Sequence, residues 1–176
     1  MSKPDEVRFG GWMQGVTEVL TLEGALRLAE GETETPQIQV RTLDHLVLTV
    51  ADVERSLEFY AQTLGMEPIT FGAGRRGLAF GEQKINLHQT DDSISPESDT
   101  ATVGSADLCF IIEGSANHAV LHLQNLGIAI EQGPVEREGA QGKALRSVYF
   151  RDPDGNLIEV AEQVERARPV ADDAWI

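Results

Sequence analysis

Two stretches in the middle of the chain carry the same order of patterns at a constant offset, and this repeat limits the fold more than any single residue does. The first opens with LDHLVLTV (43–50), an alternating run rich in Leu, Val and Thr that predicts a strand. Asp52 is placed to cap a helix over ADVERSLEFYAQTLG. There Val53, Leu57, Tyr60, Ala61 and Leu64 share one face and Gly65 closes the end. Short strands are expected near Glu67–Phe71 and Arg76–Phe80, joined by the turn GAGR, and a fourth at KINLHQ (84–89). After a polar connector, DDSISPESDTATVGS (91–105), the order returns. Asp107–Ile112 reads as a strand. Ser115 caps a helix striped by Ala116, Ala119, Val120, Leu123 and Leu126, closed by Gly127. Strand signals recur at Ile128–Glu131 and Leu145–Phe150, and the turn RDPDG (151–155) leads into NLIEVAE (156–162). His45 matches Asp107, and Leu64-Gly65 matches Leu126-Gly127, each 62 residues on. The expected fold class is therefore α+β: two βαβββ modules, 41–90 and 105–163, forming a cup-shaped mixed β-sheet with helices outside, around a small-molecule site.

The flanks read differently. Trp12–Glu30 carries irregularly spaced apolar residues suited to a helix, and GETETPQ (31–37) reads as a linker. Residues 1–40 are expected to form an accessory arm that packs on the domain or on a partner subunit, and the tail, 164–176, to fray. The net charge of −15 argues against nucleic acid and anionic membrane surfaces, which attract Lys and Arg. No run approaches the roughly 18 apolar residues of a membrane-spanning helix. The N-terminus lacks the charged and apolar regions of a signal peptide. The one cysteine, Cys109, lies in the apolar run LCFII and is expected to be a buried, inert thiol, in keeping with a reducing cytoplasm.

Three polar residues interrupt apolar strands: His45, His88 and Glu159. A carboxylate within such a strand costs free energy unless it is paired or metal-bound, so a divalent cation resolves the pattern. Imidazole and carboxylate suit Zn, Fe, Mn or Ni, and two His with one carboxylate also suit non-haem Fe(II). His118 and His122, four apart on the second helix, lack a third ligand and are read as a solvated face. The GAGR and EGAQG segments do not sit between a strand and a helix, so neither reads as a phosphate loop.

LDHLVLTVADVERSLEFYAQTLGMEP resembles the opening of vicinal-oxygen-chelate proteins, and RDPDGNLIEV their ending. This is the superfamily of glyoxalases, bleomycin-resistance proteins and dioxygenases, and the likeness spans about 41–163. GxxKINLHQ, GSADLCFI and GPVEREGAxG are most similar to the subgroup of glyoxalase domain-containing protein 5 and its bacterial lactoylglutathione-lyase-like relatives. The resemblance implies metal ligands from the first and last strands of each module. It places His45 and Glu159 at two of these positions and Asp107, where relatives carry His, at a third. The fourth falls at Asn86 or His88, which point to the same side of their strand; imidazole's affinity for such metals favours His88. Glu159 would then be the catalytic base. Ser147 and Tyr149 match site-shaping residues of the thiol transferases, and Arg75, Arg76, Arg137 and Arg146 are candidates for anion contact by charge.

The resemblance thus implies a lactoylglutathione-lyase-like metalloenzyme, a lyase, isomerase or transferase acting on a small oxygenated substrate as a homodimer. An Fe(II) ring-cleaving dioxygenase and a non-catalytic drug-binding protein are the alternatives.

Overall fold

The computed structural model describes residues 37–90, 92 and 95–165; the expected arm helix, all but the last residue of the expected linker, and all but the first two residues of the expected tail lie outside them. The chain divides into two units at Arg41, and every element below belongs to the second, Thr42–Ile176. Its order is β1 (His45–Val50), α1 (Val53–Leu64), β2 (Glu67–Phe71), β3 (Arg75–Phe80), β4 (Gln83–Gln89), then β5 (Asp107–Ile111), α2 (Ala116–Asn125), β6 (Ile130–Glu138), β7 (Ala144–Arg151) and β8 (Leu157–Val164). The chain is α+β, with each module a four-stranded mixed sheet, ordered β1-β4-β3-β2 and β5-β8-β7-β6. In both, the first strand runs parallel to the last and the other pairs are antiparallel.

The helices begin and end for the local reasons the sequence suggests. The Asp52 carboxylate accepts from the Arg55 amide at 2.9 Å, and Gly65 leaves α1 in the left-handed conformation (φ 66°). Ser115 caps α2. Alternation then sorts each strand. Leu48, Val50, Leu78, Ile85 and Leu87 of the first sheet enter the core, as do Val148, Phe150, Ile158 and Val160 of the second.

β6 is longer than its sequence signal. Gly133 and Pro134 suggest a break, but the strand runs through them by slipping register twice, between Ile130 and Gln132 and between Gln132 and Val135. At Gly133 (φ +124°) a Cβ would stand 2.6 Å from the Ser147 carbonyl oxygen and 2.8 Å from the Val148 Cα, both backbone atoms. Gly133→Ala is therefore expected to destabilise the fold by about 1–3 kcal/mol. A urea midpoint equal to that of the parent would show that this close approach is absent.

The modules share one core rather than closing one sheet. The Phe80 and Phe110 rings meet edge-to-face at 5.4 Å, and Phe59 of α1 lies 6.4 Å from Phe150 of β7. The Tyr60 hydroxyl donates to Asp152 at 2.8 Å, and Arg55 pairs with Asp154. All these contacts lie on the helix-bearing sides, so the modules join through those sides. The other face of each sheet, called open below, points away from the shared core. Each sheet thus supplies one open half-surface of the expected cup.

Candidate functional site

The strand registers decide which side chains share each open face, because directly paired residues project to the same side. On the first sheet His45 pairs with Lys84, Val47 with Asn86 and Thr49 with His88, while Asn86 also pairs with Gly77. On the second, Asp107 pairs with Leu157, Cys109 with Glu159 and Ile111 with Ala161; Tyr149 flanks Glu159 from the other side, and Ser147 pairs with Ala161. His45, Asn86 and His88 therefore stand together on one open face. Asp107, Ser147, Tyr149 and Glu159 stand together on the other.

Register also separates Asn86 from His88, which spacing alone could not do. With His45 matched to Asp107, Lys84 takes the place of Leu157, Asn86 that of Glu159, and His88 that of Ala161. The residue equivalent to Glu159 is thus Asn86. It is 5% exposed, and its Oδ1 has no hydrogen-bond partner. Such an acceptor costs about 1–3 kcal/mol unless something fills it, so this oxygen has the chemistry to act as a donor atom toward a bound group. Gly77, the partner of Asn86 on β3, leaves room for an aromatic ring on this face: a Cβ there would meet the Ile85 carbonyl oxygen at 2.7 Å and the Phe71 ring at 3.1 Å. Lys84 and Arg75 stack on that ring, 3.8 and 4.8 Å from its centroid.

His45 has a partner that residue-type reasoning missed. Its Nδ1 lies 2.7 Å from Asp44 Oδ1. A carboxylate can only accept, so Nδ1 carries the proton in this contact; in the neutral ring that leaves the Nε2 lone pair available, the arrangement that commonly orients a metal-binding histidine. The bond to His45 also holds the Asp44 carboxyl below its ordinary range. The dipeptide Asp-His was the available signal.

On the second face Glu159 lies between Cys109 and Tyr149. Cys109 departs from the buried thiol expected of its apolar run: LCFI alternates, and the cysteine falls on the open face as an exposed residue. Partial burial of the thiol, reinforced by the charge of Glu159, pushes it up to about 11. Alkylation of the metal-free protein by iodoacetamide should therefore be slow at neutral pH and rise with a midpoint near 11. Glu159→Gln should lower that midpoint, and an unchanged midpoint in this variant would remove Glu159 as a cause. Tyr149 is also raised, first by burial, with an Arg137 hydrogen bond opposing and Glu159 adding.

Other candidates fall elsewhere. Arg76 turns to the helix side and pairs with Glu54 at 3.2 Å, and Arg146 donates to Asn117. His118 and His122 line a cleft of about 940 Å³ between the modules, where a ring nitrogen of His122 lies 3.1 Å from the Thr63 carbonyl oxygen. Among the described residues, no three His, Cys, Asp or Glu side chains gather closely enough to hold one metal ion. The two half-sets belong to different faces.

The sequence profile of the Glyoxalase/Bleomycin resistance protein/Dioxygenase superfamily matches residues 42–160. The chain belongs to this superfamily. The glyoxalase-superfamily domain is 47% identical over 131 residues to Virulence protein STM3117 of Salmonella typhimurium, covering 74% of this chain and 90% of that protein. It is 27% identical over 124 residues to Metallothiol transferase FosB of Shouchella clausii, covering 69% and 80%. Among solved structures, an integron cassette protein from the mobile metagenome of V. cholerae superposes with a TM-score of 0.70 at 52% identity, covering 72% of this chain and 98% of that one. The repeat, the paired modules and the strand orders described above are thus those of a glyoxalase-superfamily chain. Its described residues contain no helix long and apolar enough to cross a membrane.

Proposed function

We propose that this chain is a divalent-metal enzyme, a lyase, isomerase or transferase of a small oxygenated substrate, whose site forms between two copies of the chain. One observation carries the reading: the donors of imidazole and amide type lie on one open face, the Glu159 carboxylate lies on the other, and both faces point away from the core that joins them. Two chains related by a twofold axis can place the first face of one against the second face of the other, twice. The edge strands suit that role. β1 and β5 each lack a neighbour on one side, and Val47 and Ile111 are large apolar residues left 47% and 52% exposed there.

In this reading His45 and Asn86 of one copy and Glu159 of the other hold the metal, with Asp107 and His88 close by on their respective faces. Asn86 replaces His88 as the preferred donor because of its register match to Glu159 and its orphaned oxygen. Such a metal supplies Lewis-acid polarisation of adjacent substrate oxygens. The chain's own groups do the rest. Asp44 holds the His45 ring with Nε2 turned outward. Glu159 is the base that takes a proton from substrate carbon at its carboxylate oxygen. The Tyr149 hydroxyl, beside it, orients that carboxylate, and the apolar edges around both exclude water. The name of the metallothiol transferase relative supports a metal in this scaffold.

Light scattering combined with Mn(II) or Ni(II) titration tests the reading. The expected result is a dimer that binds one metal per chain and loses that affinity on dissociation to monomers. A protein that takes up no divalent metal, or a monomer that binds it with full affinity, would sink it.

A further inference from the structure

One pair of metal-ligating side chains lies outside the open faces. His118 and His122 stand about one turn apart on α2, so their rings share one side of the helix, with Cβ atoms about 5–6 Å apart. That side lines the cleft of about 940 Å³ between the modules, and both residues are exposed. A carbonyl oxygen can only accept, so in the 3.1 Å contact with Thr63 the His122 Nε2 carries the proton. In the neutral ring the Nδ1 lone pair is left available, on a ring held in place from the other module. Donation of the second ring N–H to a backbone carbonyl is the usual support of a metal-binding histidine. The His118 ring meets no hydrogen-bond partner among the described residues, so it has no contact to give up.

The surroundings of the pair favour a cation. His122 lies in the last turn of α2, and Thr63 in the last turn of α1. The carbonyl-rich ends of two helices therefore meet at the His122 ring, and each carries a partial negative charge. Neither last turn holds a Lys or Arg to neutralise it. The chain as a whole carries −15, which raises the local concentration of cations. No third His, Cys, Asp or Glu joins the pair among the described residues, and the cleft leaves space for water to complete a coordination shell.

We propose that His118 and His122 chelate a borderline divalent transition metal, Cu(II) before Zn(II) or Ni(II), at a second site on α2. Two neutral imidazoles suit these ions, in an order that places Cu(II) highest and Mn(II) lowest. With no anionic donor, the pair binds more weakly than the open-face set and fills after it. The bound ion couples α2 to the end of α1 through a single imidazole, with the metal at Nδ1 of His122 and the Thr63 carbonyl at Nε2. The inference goes beyond the open-face reading and stands independently of it.

Separate Cu(II) and Mn(II) titrations of the full chain, followed by electron paramagnetic resonance, test this. The parent is expected to bind one more Cu(II) per chain than Mn(II), and the later-filling Cu(II) should show nitrogen hyperfine splitting from imidazole. His118→Gln leaves the Thr63 contact intact and should weaken that extra site at least about tenfold, since even residues that only orient ligands contribute about 10- to 100-fold. His122→Gln should do the same, with Mn(II) uptake unchanged in both variants. Equal counts of Cu(II) and Mn(II) in the parent would overturn the proposal, as would an extra Cu(II) that survives His118→Gln undiminished. Failure of the open-face reading is distinguishable, because it appears as absent Mn(II) uptake in the parent. The comparison of Cu(II) binding by parent and His118→Gln then decides the proposal by the same criteria.

Discussion

Mixing two inactive variants should restore metal binding. Glu159→Gln keeps the size of the side chain but replaces an anionic oxygen donor with an amide, and His45→Ala removes the imidazole. Each alone is expected to weaken metal affinity by about 100-fold or more, since even residues that only orient ligands contribute 10- to 100-fold. Unfolded together and refolded as an equal mixture, they form heterodimers in which one site carries both intact residues and the other carries neither. Random pairing makes half the dimers mixed and leaves half their sites whole, so about a quarter of the parent's tight sites should return. Mn(II) titration monitored by electron paramagnetic resonance counts them directly. No recovery in a mixture shown to contain heterodimers would mean that both residues act within one chain, and the shared site would be wrong.

Loss of the Asp152 carboxylate should produce the largest change in stability. Asp152 is 5% exposed and accepts four hydrogen bonds: from the Tyr60 hydroxyl (2.8 Å), the Asp154 amide (2.9 Å), the Asn156 amide (2.8 Å) and the Asn156 side-chain amide (2.7 Å). Asn156 in turn accepts from the Ala106 amide at 2.9 Å, beside β5. The turn RDPDG is therefore the joint between α1 of one module and β5 and β8 of the other. Asp152→Ala strands several buried donors at once and is expected to cost about 3–4 kcal/mol, lowering Tm by roughly 10 °C. Tyr60→Phe, which removes one bond, should cost about 1 kcal/mol. A loss below about 1 kcal/mol in Asp152→Ala would show that water replaces the network.

The same joint sets a limit at high pH. Burial, and then the charge of Asp152, push the Tyr60 phenol well above its ordinary value. A raised folded-state pKa means the unfolded chain gives up this proton first. The stabilisation is complete below about pH 10, the unfolded value, and declines as pH rises beyond it. Urea midpoints between pH 8 and 11 should fall more steeply in the parent than in Tyr60→Phe, and parallel curves would remove Tyr60 as the cause.

Much of this molecule is written locally. The two caps at Asp52 and Ser115, the left-handed Gly65, the apolar stripes of both helices and the alternation of β1, β4, β7 and β8 each depend on residues within a few positions of one another. Such short-range signals survive in the sequence, and repeated at a fixed offset they imply two βαβββ modules. They also mark His45 and Glu159 as polar residues in apolar strands. What they leave open is relational. Alternation says that Asn86 and His88 share a face, but only the long-range hydrogen-bonded register of β1 against β4 and β5 against β8 shows which of them stands where Glu159 does. Alternation likewise puts Cys109 on the opposite side of its strand from Leu108 and Phe110, yet an apolar run looks buried on both sides until the covering layer is known. How the two modules pack on each other depends on which surfaces bury more apolar area together. That is settled by Phe59, Phe80, Phe110 and Phe150 meeting across the modules, contacts between residues far apart in the chain that no local pattern records.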